Sequence, residues 1–68
     1  IDVGVKAKIY KLMNDLKQQG IGILMVSEEM MELIGMADRI ITMKDGRQNQ
    51  VFTRSAQLSE ADIIAAII

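Results

Sequence analysis

The sequence contains no cysteine, no histidine and no proline among its 68 residues. Without cysteine no disulfide can form. Without histidine or cysteine, neither a zinc site nor a Cys/His or Ser/His nucleophile pair can be assembled within the chain. A cysteine-free chain fits a reducing compartment. With no proline and no low-complexity tract, no linker or internal boundary is marked. Aromatic residues are nearly missing: Tyr10 and Phe52 are the two present, so any core must be aliphatic. Basic charge is not in excess either. Eight basic residues stand against nine acidic ones, a net charge of −1, and no basic stripe exists to neutralise a phosphate backbone. Nucleic acid is therefore not an expected partner. The longest apolar run, residues 63–68, is far below the roughly 20 residues of a membrane span. The five glycines stand singly, so no glycine-rich phosphate loop opens a helix.

What is present is a globular composition, 50% hydrophobic and 25% charged. A chain of this length makes one domain at most. Chains this small commonly oligomerise, bind a metal or belong to something larger. This one opens Ile1-Asp2-Val3-Gly4 and stops inside an apolar pattern at Ile67-Ile68. The expectation is a piece of a longer protein, because natural domain ends are usually polar.

Val5, Ile9, Leu12, Met13 and Leu16 form a helical stripe and predict a helix over 5–19. Asp2 or Gly4 would start it and Gly20 would cap its C-terminus. Residues 21–26 show no polar alternation, the pattern of a strand buried on both faces of a parallel sheet. Ser27 offers an N-cap to a short second helix, with Glu28, Glu29 and Glu32 in its first turns and Gly35 at its end. Residues 40–43 predict another strand, Asp45-Gly46 a tight hairpin turn, and 48–52 a returning edge strand. Ser59 to Asp62 resembles a cap, followed by an apolar stripe of Ile63, Ile64, Ile67 and Ile68. The fold class is α/β: a right-handed strand–helix–strand crossover plus a β-hairpin, with flanking helices. Two parallel strands do not complete such a sheet, so the pattern is that of part of a larger domain.

Three clusters invite a chemical reading. Glu28, Glu29 and Glu32 suggest a divalent cation, but a helix dipole explains carboxylates there with nothing added. Met30, Met31 and Met36 suggest a soft ligand surface or, more simply, packing. Asp38-Arg39 reads as a strand-entry ion pair rather than a site. By topology, the Ser27-Glu28 loop lies outside the C-terminal end of the predicted parallel strand, where open α/β sheets bind ligands.

Several runs together carry a family resemblance. Ile1-Asp2-Val3-Gly4, the amphipathic helix, Ile23-Leu24-Met25-Val26-Ser27-Glu28-Glu29-Met30 and Met36-Ala37-Asp38-Arg39-Ile40-Ile41-Thr42-Met43-Lys44-Asp45-Gly46-Arg47 resemble the end of an ATP-binding cassette. The pattern is most similar to the second cassette of the double-cassette ATPases of bacterial monosaccharide importers, the ribose, galactose and arabinose type. The resemblance covers essentially the whole chain. It implies a partial P-loop NTPase-like sheet, with residues 1–68 as the C-terminal part of a cassette domain. It implies that Asp2 is the D-loop aspartate, which touches the opposing cassette. Glu28 falls where active cassettes place a histidine that reaches the γ-phosphate. An ionised carboxylate there is repelled by phosphate and donates no hydrogen bond. A one-residue slip puts Ser27 at that position instead. Asp2, Ser27 and Glu28 are thus the implied nucleotide-site residues, with no catalytic residue and no metal ligand in the chain.

In that family the phosphate loop, the signature motif and the strand with the catalytic glutamate precede the position of Ile1. An apolar run ending in Asp-Glu-Pro-Thr stands directly before it. The resemblance therefore implies ATP and Mg2+ as cofactors of the whole subunit and none for this chain alone, which would not hydrolyse ATP. The implied partners are the rest of the cassette, the opposing cassette and membrane permease subunits. The implied place is the cytoplasmic face of the inner membrane, as a peripheral subunit. A different class of reading is a small self-associating α/β module without nucleotide chemistry, burying the stripes at Ile9, Leu12, Leu16 and Ile63 to Ile68 between copies. A receiver-like domain is a third, but it expects a phosphorylatable aspartate at a strand end, and none directly follows Val26 or Met43.

Overall fold

A computed structural model of the chain describes residues 3–68. In chain order it contains α1 (Val3–Gln18), α2 (Met30–Met36), β1 (Arg39–Lys44), β2 (Arg47–Thr53) and α3 (Glu60–Ile67). The class is α/β, three helices around a two-stranded antiparallel sheet.

Helix α1 ends as the sequence predicts. The Ile21 amide donates to the Leu16 carbonyl at 3.1 Å and the Gly20 amide to the Lys17 carbonyl at 2.9 Å. This nested pair is the Schellman arrangement, and it needs the left-handed backbone that Gly20 adopts at φ 86°. The expected start at Asp2 lies outside the described residues.

The strand expected at 21–26 is not formed, and the strand–helix–strand crossover goes with it. Residues 21–29 carry no helix or strand, and β1 pairs with β2 alone. The reason is physical. A strand exists through hydrogen bonds to a neighbour, and the described residues offer this run no parallel partner. Its side chains are correspondingly bare: Leu24 is 89% exposed and Val26 93%.

The hairpin follows its turn chemistry. Asp45 at φ 52° and Gly46 at φ 75° form a two-residue turn with both centres left-handed, the type I′ geometry that matches strand twist. The register runs from Arg39↔Thr53 to Thr42↔Gln50, then slips to Met43↔Gln48, leaving Asn49 as a bulge. Ile40 and Thr42 lie buried on the face that α3 covers, whereas Ile41, Met43 and Val51 are exposed. The buried Thr42 hydroxyl is satisfied, accepting from the Gln50 amide at 3.1 Å.

Helix α3 opens with a reciprocal capping box. Ser59 Oγ accepts from the Asp62 amide at 3.3 Å, and Asp62 Oδ2 accepts from the Ser59 amide at 3.0 Å. Ile63 and Ala66 are then buried where α3 packs on the hairpin, as Ile40 is on β1. At the bulge, the Asn49 side-chain amide donates to the Ala66 carbonyl. Lys44 Nζ donates to the Ile68 carbonyl at 2.7 Å.

This core is small. The apolar stripe of α1 forms as read but is only partly covered: Ile9 at 43% and Leu12 at 57% are exposed, whereas Met13 and Leu16 are half-buried. The radius of gyration, 13.0 Å, exceeds the about 11 Å of a close-packed domain of this length.

Candidate functional site

The Ser27 loop is organised from within before anything docks on it. Ser27 Oγ accepts the Glu29 amide at 3.0 Å, a local serine turn that competes with helix. The helix therefore begins later than the sequence suggests. Glu29, with φ −87° and ψ 107°, is the N-cap of α2 and makes no side-chain cap bond. Ser27 is thus not the cap, and of the three glutamates Glu32 alone lies in the first turn.

Helix α1 then takes hold of the loop. Lys6 Nζ lies 3.0 Å and 2.9 Å from the two carboxylate oxygens of Glu29. The Tyr10 hydroxyl donates to Glu32. Lys17 Nζ donates to Asp38 at 2.7 Å, beyond the other end of α2. The pairings shift Glu32, Tyr10, Lys6 and Asp38. The Ser27 hydroxyl, and then that of Tyr10, holds the Glu32 carboxyl below its ordinary range. The same contact raises the Tyr10 phenol, whose proton the carboxylate accepts. Hydrogen bonding to Glu29 raises the Lys6 ammonium, and Lys17 lowers Asp38.

The C-terminal end of α2 is held from the hairpin. Arg54 Nη1 donates to the carbonyls of Ile34, Gly35 and Ala37 at 3.3, 3.2 and 3.2 Å. The Arg54 amide donates to the Asp38 carbonyl at 2.9 Å. Sequence reasoning singled out none of Lys6, Tyr10, Lys17 and Arg54 as site residues. The available signal was the helical spacing of 6, 10 and 17, which places them on one side of α1. Asp38 does form an ion pair, though with Lys17 rather than Arg39. Met31 is exposed while Met30 and Met36 are half-buried.

Glu28 stands apart from its neighbours. It occupies the bend before α2, exposed, and among the described residues nothing pairs with its carboxylate. Asp2 lies outside the described residues. Among those residues no group of three or more His, Cys, Asp or Glu side chains converges to hold a metal ion. The three glutamates instead point to separate fates: Glu29 to Lys6, Glu32 to Tyr10, Glu28 to solvent. Carboxylates repel phosphate, and the Lys6 ammonium beside this loop is engaged by Glu29.

Over 67 residues, 98% of its length, the chain is 45% identical to the ribose import ATP-binding protein RbsA of Caldanaerobacter subterraneus subsp. tengcongensis. The chain is similar to a segment of a sugar-import ATP-binding protein. It spans 14% of the length of that relative. The likeness is not to one sequence alone, since 211 curated proteins match. No family model matches the chain. No solved structure matches it either. The resemblance to a sugar-importer cassette, read from the runs around Val26 to Met30 and Ala37 to Arg47, is thus borne out along nearly all of the sequence. The alignment to the ribose-import relative includes the Ser27-Glu28 loop, because 67 of the 68 positions are covered.

Proposed function

We propose that this chain is a segment of the ATP-hydrolysing subunit of a sugar importer. One observation carries the reading: 45% identity over 98% of the chain to a ribose import ATP-binding protein. The parent subunit couples ATP hydrolysis to sugar uptake across the cytoplasmic membrane. It lies peripherally at the cytoplasmic face, against permease subunits. No helix among the described residues is long and apolar enough to cross a membrane, which leaves the permease to supply the spans.

Within that subunit, Asp2 serves as the D-loop aspartate that meets the opposing cassette. Glu28 occupies the switch position, with Ser27 as the alternative if the register slips by one. The exposed carboxylate of Glu28 supports a degenerate switch, because it repels a γ-phosphate instead of donating to it. ATP and Mg2+ are held by parts of the parent outside these residues. The chain alone is not ATPase-competent.

Two measurements test this. Calorimetry of the 68-residue chain with Mg-ATP should show no binding, and a micromolar Kd overturns the incompetence of the chain. A chimera of the ribose-import relative, with its matching segment replaced by these residues, should keep ribose-dependent growth. A folded chimera that neither hydrolyses ATP nor transports contradicts the reading.

A second reading is favoured by the exposed Ile9, Leu12, Ile41 and Val51 and by the hairpin's open edges: a self-associating module. Sedimentation at several concentrations separates the two, since a concentration-independent monomer excludes association.

A further inference from the structure

We propose that Arg54 is the positioning residue that ties the Ser27-Glu28 loop to the hairpin–α3 core. The inference rests on the reading of that loop as the switch position. Helix α2 is seven residues long, too short to hold itself in water. Its C-terminal carbonyls have no further turn to accept from. Arg54 supplies the missing donors: one guanidinium nitrogen faces the carbonyls of Ile34, Gly35 and Ala37. Its positive charge also sits at the negative end of the helix dipole.

The location of Arg54 gives this contact its reach. It follows β2 directly, and its amide continues the hairpin by donating to the Asp38 carbonyl at 2.9 Å. Backbone and side chain of one residue therefore join the sheet to α2. The other end of α2 carries Glu29 and Glu32, through which Ser27 and Glu28 are placed. The tethers at that end come from α1, which is itself held by exposed ion pairs. Helix α3 touches α2, yet among the described residues no hydrogen bond joins the two helices. Arg54 is thus the hydrogen-bonded route from the buried core to the loop. All three contacts come from the single Nη1 nitrogen at the far end of the side chain, so a lysine ammonium, with three donors on a shorter stem, takes over part of them.

The test is amide hydrogen exchange on the 68-residue chain, comparing the native sequence with R54A, R54Q and R54K. R54A should raise exchange across 29–37 by roughly tenfold, while the β1–β2 amides stay as they were, and R54K should restore part of the protection. Unchanged exchange in α2 overturns the proposal. Equal loosening of hairpin and α2 also overturns it, since Arg54 would then act on the fold as a whole. If R54A unfolds outright, R54Q decides by the same two criteria. The readout needs no nucleotide, so its failure leaves the sugar-import reading standing, and failure of nucleotide chemistry in the parent leaves this one standing.

Discussion

Lys6 and Glu29, 23 residues apart, meet through both carboxylate oxygens at 3.0 and 2.9 Å. With Tyr10 on Glu32 and Lys17 on Asp38, the pair forms a row of polar ties along one side of α1. The opposite consequence falls on the apolar stripe: Val5, Ile9 and Leu12 face outward. Met13 and Leu16 are half-buried and no α1 residue is fully buried, so polar ties carry much of the docking of α1 on the rest of this chain.

Salt should therefore release α1 selectively. The screening length shrinks from about 10 Å at 0.1 M to about 3 Å at 1 M salt, and the Glu29 side chain is 64% exposed to it. The distance between spin labels on α1 and β2 should lengthen and broaden at high salt while hairpin signals persist. A distance that holds at 1 M salt would show that another force docks the helix.

Acid should do the same from the carboxylate side. Glu32 lies below its ordinary 4.5 and Asp38 below its ordinary 3.8. Their contribution is complete above those ordinary values and is lost as pH falls through the lowered ones. Lys6 has the reverse sign: raised above 10.5, it contributes fully below that pH and is lost as pH climbs through the raised value. An acid titration of α1 protection should show a drop below pH 4.5, and E32Q with D38N should flatten it. A native profile that is already flat contradicts the assignment.

Two substitutions test the core and the turn. Ile63, 2% exposed, is the most buried of the core residues, and I63A should cost about 2 kcal/mol of unfolding free energy. Gly46 has open space where a Cβ would stand, yet φ is +75°. G46A should therefore cost about 1–2 kcal/mol through the backbone alone. Denaturant midpoints read both, and a neutral G46A would mean the turn changes type.

The Glu28 assignment predicts a gain. In the chimera with the ribose-import relative, E28H should raise ATP turnover at that cassette by roughly tenfold or more, since a donor replaces a repelling charge. No change, with the protein folded, removes Glu28 from the phosphate.

Local signals were legible wherever the chemistry is local. Gly20 after Leu16 and Lys17, Asp45-Gly46, and Ser59 three residues before Asp62 each specify a backbone shape by themselves. Residues 21–26 were not, because apolar content marks a strand only when a neighbour supplies hydrogen bonds. Ser27 misled for a related reason: its hydroxyl turned to the Glu29 amide and delayed the helix. The ties from Lys6, Tyr10 and Lys17 join residues more than 20 positions apart, and no periodicity encodes which glutamate a lysine meets. Arg54 belongs to the same class.

The central claim is that these residues are a segment of a sugar-import ATPase subunit. Sequencing the source transcript upstream of the Ile1 codon tests it most directly. The account predicts an apolar run ending in Asp-Glu-Pro-Thr, with a phosphate loop further upstream. A start codon immediately before Ile1 would contradict it.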